Sequence, residues 1–477
     1  MTRSGCERDD GDPSGAGRER CATGRRALAE SLAQTAHEAL RDGRAHEAIR
    51  HWAAALQLQP GRMDRLRDMA SAWEALGDES AALLCHRNTV PPALDRECFL
   101  ADLVEQRVLP RAACPGVEHH PGFDEQPRAL SLPRCNVPLD EVGQFRRRRT
   151  APASAFTSVV AGGELWFDGF NVLLLNAGRQ IVHAQARGNR ALVMAALSTR
   201  APVRLGGTTC FLDARSGSNY YHWMMDVVPK LALLERAGIG IDEIDHWLVR
   251  RGQPFQEETL AHLGIDPDKV VGGGAETHVR CERLVVPRLK NDIGERPSGA
   301  LGLGMGQWLP AWLRRTFGPA DGTVHAPTSG RPGTGRRIFV SRAASAGREI
   351  RDETALARTL AAYGFERVEP ERLSVAGQAR LMAEADTVLA VHGAALANIA
   401  FCRPGTLVLE VFGSYIVPCY WALAGIAGLD HACFMTGRCG ERDPLRRAAG
   451  VSRDRQSGLD VPLDELSAWL EKVLAGR

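Results

Sequence analysis

Thr387-Val388-Leu389-Ala390-Val391-His392-Gly393-Ala394-Ala395-Leu396-Ala397-Asn398 decides the fold. An unbroken apolar run of this length suits a strand covered on both faces, as in a parallel sheet. His-Gly interrupts it, and the small residues that follow open a helix. Reading outward, Arg337–Ser341 is expected as a strand, Glu353–Ala362 as a helix, Glu366–Val368 as a strand and Val375–Ala385 as a helix. Thr387–Val391 is the next strand, Ala394–Ala400 a short helix and Leu407–Val411 a further strand. Helices that separate apolar strands imply a parallel, doubly wound α/β sheet.

Toward the amino terminus, residues 321–336 hold four glycines and two prolines in sixteen positions and read as a linker. Before it, residues 151–320 alternate again. Leu165–Phe167, Val172–Leu175, Thr208–Leu212, His246–Val249 and Arg283–Val286 are expected strands, with helices over 220–237 and near Glu257–Leu263. This is a second α/β layer, so residues 151–320 and 337–477 form two lobes. Residues 93–150 are Pro- and Arg-containing, weakly periodic, and read as a connector. In 26–92 a helical pattern repeats: Ala36, Gly43 and Ala48 recur at Ala70, Gly77 and Ala82, each displaced by 34 residues. That period suits tetratricopeptide-like helix–turn–helix units, which offer a surface for a protein partner. Residues 1–25, rich in Gly, Arg, Asp and Ser, are expected to be disordered. The fold class is therefore α/β, with two Rossmann-like lobes preceded by a small α-helical repeat segment.

Composition narrows the function. Hydrophobic residues at 44% and charged residues at 24% are ordinary for a globular chain, and a formal net charge of +2 gives no global attraction for a polyanion. The run Arg146–Arg149 reads as a solvated face, so no nucleic acid partner is expected. The twelve cysteines form no CxxC pair, and in a chain of this size they read as reduced. Neither a signal peptide nor an apolar run of membrane-spanning length is found. A cytoplasmic protein is expected, one that can touch a membrane holding its substrate.

Three segments can carry chemistry. At the end of the central strand, His392 and the turn Gly393, Ala394 and Ala395 precede Asn398; glycine permits close approach, and free N–H groups opening a helix attract phosphate. Ser341 and Arg342, with Arg348, follow the first strand of the same lobe, where arginines can hold a diphosphate bidentately. Glu410, ending the strand Leu407–Val411, can accept ribose hydroxyls. The third segment is Asn219-Tyr220-Tyr221-His222-Trp223-Met224-Met225-Asp226-Val227-Val228-Pro229-Lys230. On a helix His222 and Asp226 share a face and can form an acid–base pair, and Tyr220, Tyr221 and Trp223 can stack on a sugar. Structural roles compete at each place: a tight turn, a solvated arginine, a packed core helix.

Together these segments resemble glycosyltransferase family 61. The resemblance rests on Asn219-Tyr220-Tyr221-His222, Asp226 and Pro229-Lys230, then Ser341-Arg342 and Arg348-Glu349-Ile350-Arg351-Asp352-Glu353. It continues through Gln378, the 392–398 turn, and Phe401, Pro404, Gly405 and Glu410, and covers roughly 205–415. Asp352 departs from the pattern, which commonly has Asn there. The resemblance implies an inverting transferase of the two-lobed GT-B type. The nucleotide-sugar, a UDP-sugar by expectation, would bind the C-terminal lobe through Ser341, Arg342, Arg348, His392, Gly393, Ala394, Ala395, Asn398 and Glu410. The acceptor would bind the N-terminal lobe through Asn219, Tyr220, Tyr221 and Trp223.

Inversion needs a base on the acceptor hydroxyl and positive charge on the departing diphosphate. Asp226 or His222 is the candidate base, with Asp226 slightly favoured because a neighbour could orient its carboxylate. Arg342, Arg348 and the helix opening at Ala394 would stand in for a metal, and no cofactor is implied. Asp266-Pro267-Asp268, the one Asp-x-Asp sequence, reads as a turn. The Ala/Arg-rich composition looks bacterial and suggests a surface polysaccharide or lipid-linked glycan as acceptor, with a protein-linked glycan as the alternative. Two other classes compete: a nucleotide-dependent oxidoreductase, which would want a glycine fingerprint that is not evident, and a non-catalytic scaffold built on a degenerate transferase fold.

Overall fold

The computed structural model describes residues 15–59, 62, 64–86, 91, 108–109, 115–139, 142–150, 155–167, 172–182, 201–214, 216–272, 277–289, 303–318, 335–343, 349–413, 415–436 and 459–475. The chain divides into two compact units, residues 1–108 with 188–203 and residues 109–187 with 204–477. Of the Gly/Pro-rich stretch 321–336, only Gly335 and Arg336 are among the described residues.

The first unit contains α1 (Gly15–Arg41), α2 (Ala45–Leu58), α3 (Asp64–Ala75) and α4 (Glu79–His86), packed as two successive helical hairpins. The helix α1 begins at Gly15, within the stretch whose composition suggested disorder; residues 1–14 lie outside the described residues. The repeat is visible in the turns. Gly43 and Gly77 both take positive φ, +77° and +76°, a conformation that costs a side chain and suits glycine. After each, the next N–H closes the same bond, Arg44 to the Ala39 carbonyl and Asp78 to the Trp73 carbonyl. Ala36, Ala48, Ala70 and Ala82 are all buried, where small side chains let paired helices approach.

In the second unit the first sheet is mixed, with ten strands among the described residues. They are β1 (Val108–Leu109), β2 (Val117–Pro121) and, beyond β3 (Arg134–Cys135), which joins the other sheet, β4 (Phe156–Ala161), β5 (Glu164–Phe167), β6 (Val172–Leu175) and β7 (Ile181–Val182). β8 (Val203–Phe211), β9 (His246–Val249), β10 (Val270–Gly272) and β11 (Thr277–Arg288) complete it. β8 pairs with β9, and β9 with β10, in parallel in a βαβ manner. Their crossovers are α5 (Tyr220–His222) leading to α6 (Lys230–Ala237), and then α7 (Pro254–His262). The pairs β2–β4, β4–β11, β5–β11, β5–β6 and β6–β7 are antiparallel, so this sheet is only partly Rossmann-like. Short apolar strands buried on both faces look alike whichever way they pair, which hid the difference.

The second sheet follows α8 (Leu309–Phe317). It comprises β12 (Arg336–Val340), α9 (Glu353–Ala361), β13 (Phe365–Val368), α10 (Val375–Glu384), β14 (Ala385–Val391), a 3-10 helix at Ala394–Phe401, β15 (Leu407–Phe412), α11 (Cys419–Ala427), β16 (Asp430–Met435) and α12 (Leu463–Ala475). The strand order is β13-β12-β14-β15-β16-β3 and every pairing is parallel. From β12 the chain first adds β13 on one side and then crosses to β14 on the other. The winding reverses there, so the carboxyl ends of β12 and β14 border the crevice in which such sheets hold ligands. One apolar core joins helices of both sheets, running from Trp223, Met224 and Leu231 to Leu396, Ile399 and Phe401. Among the described residues no helix is long and apolar enough to cross a membrane.

Candidate active site

Ser341-Arg342 leave the end of β12 and His392-Gly393 leave the end of β14, so the switch point joins two segments that lie far apart in sequence. Glu353, in the first turn of α9, fixes the first of them. Its carboxylate accepts from the Ser341 hydroxyl and, at 3.0 Å, from the Arg342 N–H. Arg367 on β13 donates to Ser341 Oγ at 2.8 Å. The Arg342 side chain then lies against Gly393: a Cβ built there would stand 1.9 Å from Arg342 Nη1. Gly393 has extended backbone (φ −177°), so the room it leaves for the guanidinium, not its φ, is what calls for glycine. The N–H groups of Ala394 and Ala395 open the 3-10 helix and have no acceptor within it. A guanidinium beside N–H groups that have no acceptor in their own helix can attract an anion.

His392 is buried beside this turn. Its Nδ1 is 2.5 Å from Glu410 Oε1, and its ring stacks on Phe412 with centroids 5.2 Å apart. Tyr420 on α11 packs at 5.2 Å and donates its hydroxyl to the Gly393 carbonyl at 2.6 Å. Glu410 itself is fully buried, and its second oxygen is 2.9 Å from Nε2 of His431. This redirects the expected role of Glu410: walled in by two imidazoles, it has no surface for a ribose.

Across the core, Asn219 caps α5 by accepting from the Tyr221 N–H at 3.0 Å. The helix then widens into a π turn over Trp223–Val227, closed by Val228 N–H on the Trp223 carbonyl. Pro229 accounts for this, since proline cannot donate and its ring would strike the carbonyl four residues back. Such turns recur at functional sites. His222 Nδ1 stands 2.6 Å from Asp226 Oδ2, with side-chain exposures of 36% and 7%. The carboxylate is thus behind the imidazole, and among the described residues nothing hydrogen-bonds Nε2 of His222. Lys230 is buried too: its ammonium donates to the Asp213 carbonyl at 2.5 Å, tying the helix to the end of β8. Burial pushes the Asp213 carboxyl up against the opposing pull of Arg250, which grips it through two nitrogens.

The two halves meet. Tyr221 contacts the His222 ring at 5.2 Å and the Tyr420 ring at 5.5 Å, and Tyr420 touches His392. The Tyr220 hydroxyl donates to Asn398 Oδ1 at 2.6 Å, and Asn398 Nδ2 donates to Gln378 Oε1 at 2.7 Å. Asn398 is fully buried and both ends of its amide are engaged, so it ties the halves together and does not face a ligand. Trp223 is likewise a core residue: it is fully buried, its indole N–H donates to Thr259 at 2.8 Å, and no face is left for a sugar. Burial raises the Tyr221 hydroxyl well above its usual range, consistent with a neutral packing ring. Asp352 caps α9 by accepting from the Ala355 N–H at 2.8 Å, work that Asn would do equally well. Asp266 caps a single 3-10 turn by accepting from Asp268 N–H, the turn its sequence suggested. Arg348 lies outside the described residues. Tyr420, His431 and Arg367 escaped the sequence reading, because each reaches the site through strand order, which leaves no local periodic signal; Glu353 stands in the motif that carries the resemblance but was given no role there.

Residues 220–409 match the family model for glycosyltransferase 61. The matched span opens at Tyr220, takes in the dyad and both ends of the switch point, and covers less than half of the chain. Among curated proteins, none matches the chain. The glycosyltransferase 61 match supports glycosyltransferase activity, with a sugar donor and a glycan acceptor in general terms.

Proposed function

We propose that the chain is an inverting, metal-independent glycosyltransferase of GT-B type that transfers a sugar from a UDP-sugar to a hydroxyl of a glycan acceptor. The observation that carries this reading is the convergence of an anion site (Arg342 and the Ala394–Ala395 N–H groups) with a buried-carboxylate imidazole (His222 on Asp226) across the paired rings Tyr221 and Tyr420. Residues 337–477 take the nucleotide-sugar, residues 151–320 the acceptor, and the helical repeats of 26–92 a protein partner.

His222 is the base and Asp226 its orienting group, the reverse of the slight preference drawn from spacing. A buried Asp226 that already accepts from Nδ1–H fixes the tautomer and leaves Nε2 for the acceptor hydroxyl. Nε2 takes the hydroxyl proton as the acceptor oxygen bonds to the anomeric carbon. The bond from that carbon to the diphosphate oxygen breaks, and its electron pair leaves with UDP. Arg342, the first N–H groups of the 3-10 helix and His392 stabilise that charge.

The test is transfer measured beside UDP binding, with and without EDTA. His222→Ala is expected to lower kcat by about 10²–10⁴-fold and to keep UDP affinity, and Arg342→Ala to lose UDP affinity. EDTA is expected to change neither. Full transfer in His222→Ala would overturn the base assignment. Failure of every UDP-sugar and every glycan acceptor would favour the scaffold alternative.

A further inference from the structure

A carboxylate in the middle of a parallel sheet needs a reason. Glu410 sits within β15, with Ala390 of β14 and Cys433 of β16 as its register partners, and is fully buried. Leaving an ionised carboxylate there unpartnered would be far more costly than any hydrophobic residue. Its two oxygens are divided between two histidines, 2.5 Å to His392 Nδ1 and 2.9 Å to His431 Nε2.

The two histidines are not equivalent. His431 is enclosed on β16, and its Nδ1 is buried without a hydrogen-bond partner. Since a carboxylate only accepts, Nε2 of His431 carries the proton and Nδ1 is left as a bare lone pair. Burial holds this imidazole down to about 3, so it supplies Glu410 with a hydrogen bond and no charge. His392 differs, because it ends β14 beside the anion site. Facing it are Glu410 of β15, Phe412 and Tyr415 beyond, Tyr420 of α11, and Arg342 against the adjoining Gly393. Tyr420 has already spent its hydroxyl on the Gly393 carbonyl.

We propose that His431 is a positioning residue of the donor site, acting through Glu410 to hold His392 with its Nδ1–H on the carboxylate and its Nε2 edge toward the nucleotide diphosphate. This rests on the donor-site reading given above. His431 locks one carboxylate oxygen, so the other keeps a single direction for His392. The outer histidine thus orients the inner one without approaching the substrate.

The experiment compares His431→Leu, which removes the donor, with His431→Gln, whose amide can still donate to Glu410. The first readout is the ¹⁵N imidazole spectrum of His392 in the full chain without ligand; the second is the UDP Kd together with KM and kcat for the donor. In His431→Leu the His392 Nδ1–H signature is lost, and Kd and KM rise about ten-fold with kcat changed less, as expected for loosening one hydrogen bond to a charged group. His431→Gln restores both. An unchanged His392 ring state in His431→Leu, or equal losses in both variants together with a lowered unfolding midpoint, overturns the proposal. If His431→Leu does not fold, Glu410→Gln replaces it, and an unchanged His392 ring state there overturns the proposal in the same way. Arg342→Ala in parallel separates the two readings, because unchanged UDP affinity there overturns the donor site and leaves the ring-state result to judge the relay.

Discussion

Substituting Gly393 by alanine should disable the proposed donor site while sparing the fold. The added methyl would lie 1.9 Å from Arg342 Nη1 and 3.1 Å from its Cζ, and the next neighbour, the Val391 carbonyl, is at 3.5 Å. Reaching ordinary contact of roughly 3.5 Å requires the guanidinium to withdraw by about 1.6 Å. That atom ends a flexible side chain, and the extended φ of −177° is open to alanine, so the backbone has no cause to move. Stability should therefore change by less than about 1 kcal/mol. A displacement of that size breaks a charge-assisted contact to phosphate worth about 1.5–3 kcal/mol, which weakens UDP binding by roughly 10- to 150-fold. Calorimetric titration with UDP and a urea unfolding curve measure the two quantities on the same preparation. Combining Gly393→Ala with Arg342→Ala should weaken binding no further than Arg342→Ala alone, because both act on one guanidinium. Wild-type affinity in Gly393→Ala, or additive losses in the double variant, would refute the assignment of Arg342 to the phosphate.

Burial keeps His431 neutral in the fold at about 3, against its usual 6.5, whereas the unfolded chain takes up a proton below 6.5. Its contribution to stability is thus present above pH 6.5 and is lost as the pH falls toward about 3. Urea midpoints over that range should fall more steeply for wild type than for His431→Gln, by up to about 1.4 kcal/mol per pH unit; equal slopes would contradict this. Trp223→Phe removes the indole bond to Thr259 and should cost about 1 kcal/mol of stability with the acceptor KM unchanged. A selective rise in that KM would return Trp223 to the acceptor site. Asp352→Asn should leave both the unfolding midpoint and UDP affinity within error, since either residue caps α9.

Much of the fold was legible because it is written in local periodicity. The strands β9 (His246–Val249) and β6 (Val172–Leu175) and the helix α9 (Glu353–Ala361) begin where their apolar patterns begin. The 34-residue echo of Gly43 in Gly77 survives as two matching turns. The dyad His222–Asp226 followed from four-residue spacing alone. Which member is buried did not, because spacing is symmetric: only packing puts Asp226 behind the ring.

What the tertiary structure decided is everything that depends on strand order. Nothing near Arg342 or Gly393 in the chain tells that β12 and β14 are neighbours with β13 on the far side, yet that order lets a guanidinium fill the space a missing Cβ leaves. The same holds for Glu410, which reads alone as a ribose acceptor and is enclosed by histidines from the ends of two different strands. Trp223 and Tyr220 share one short motif, but the turn of the helix sends one ring into the core and the other hydroxyl to Asn398. Amino-acid order determined which elements form, because those follow from backbone periodicity and side-chain type over a few residues. Which of their residues face one another was left to parallel pairing across the sheet, a contact between distant segments that no local pattern encodes.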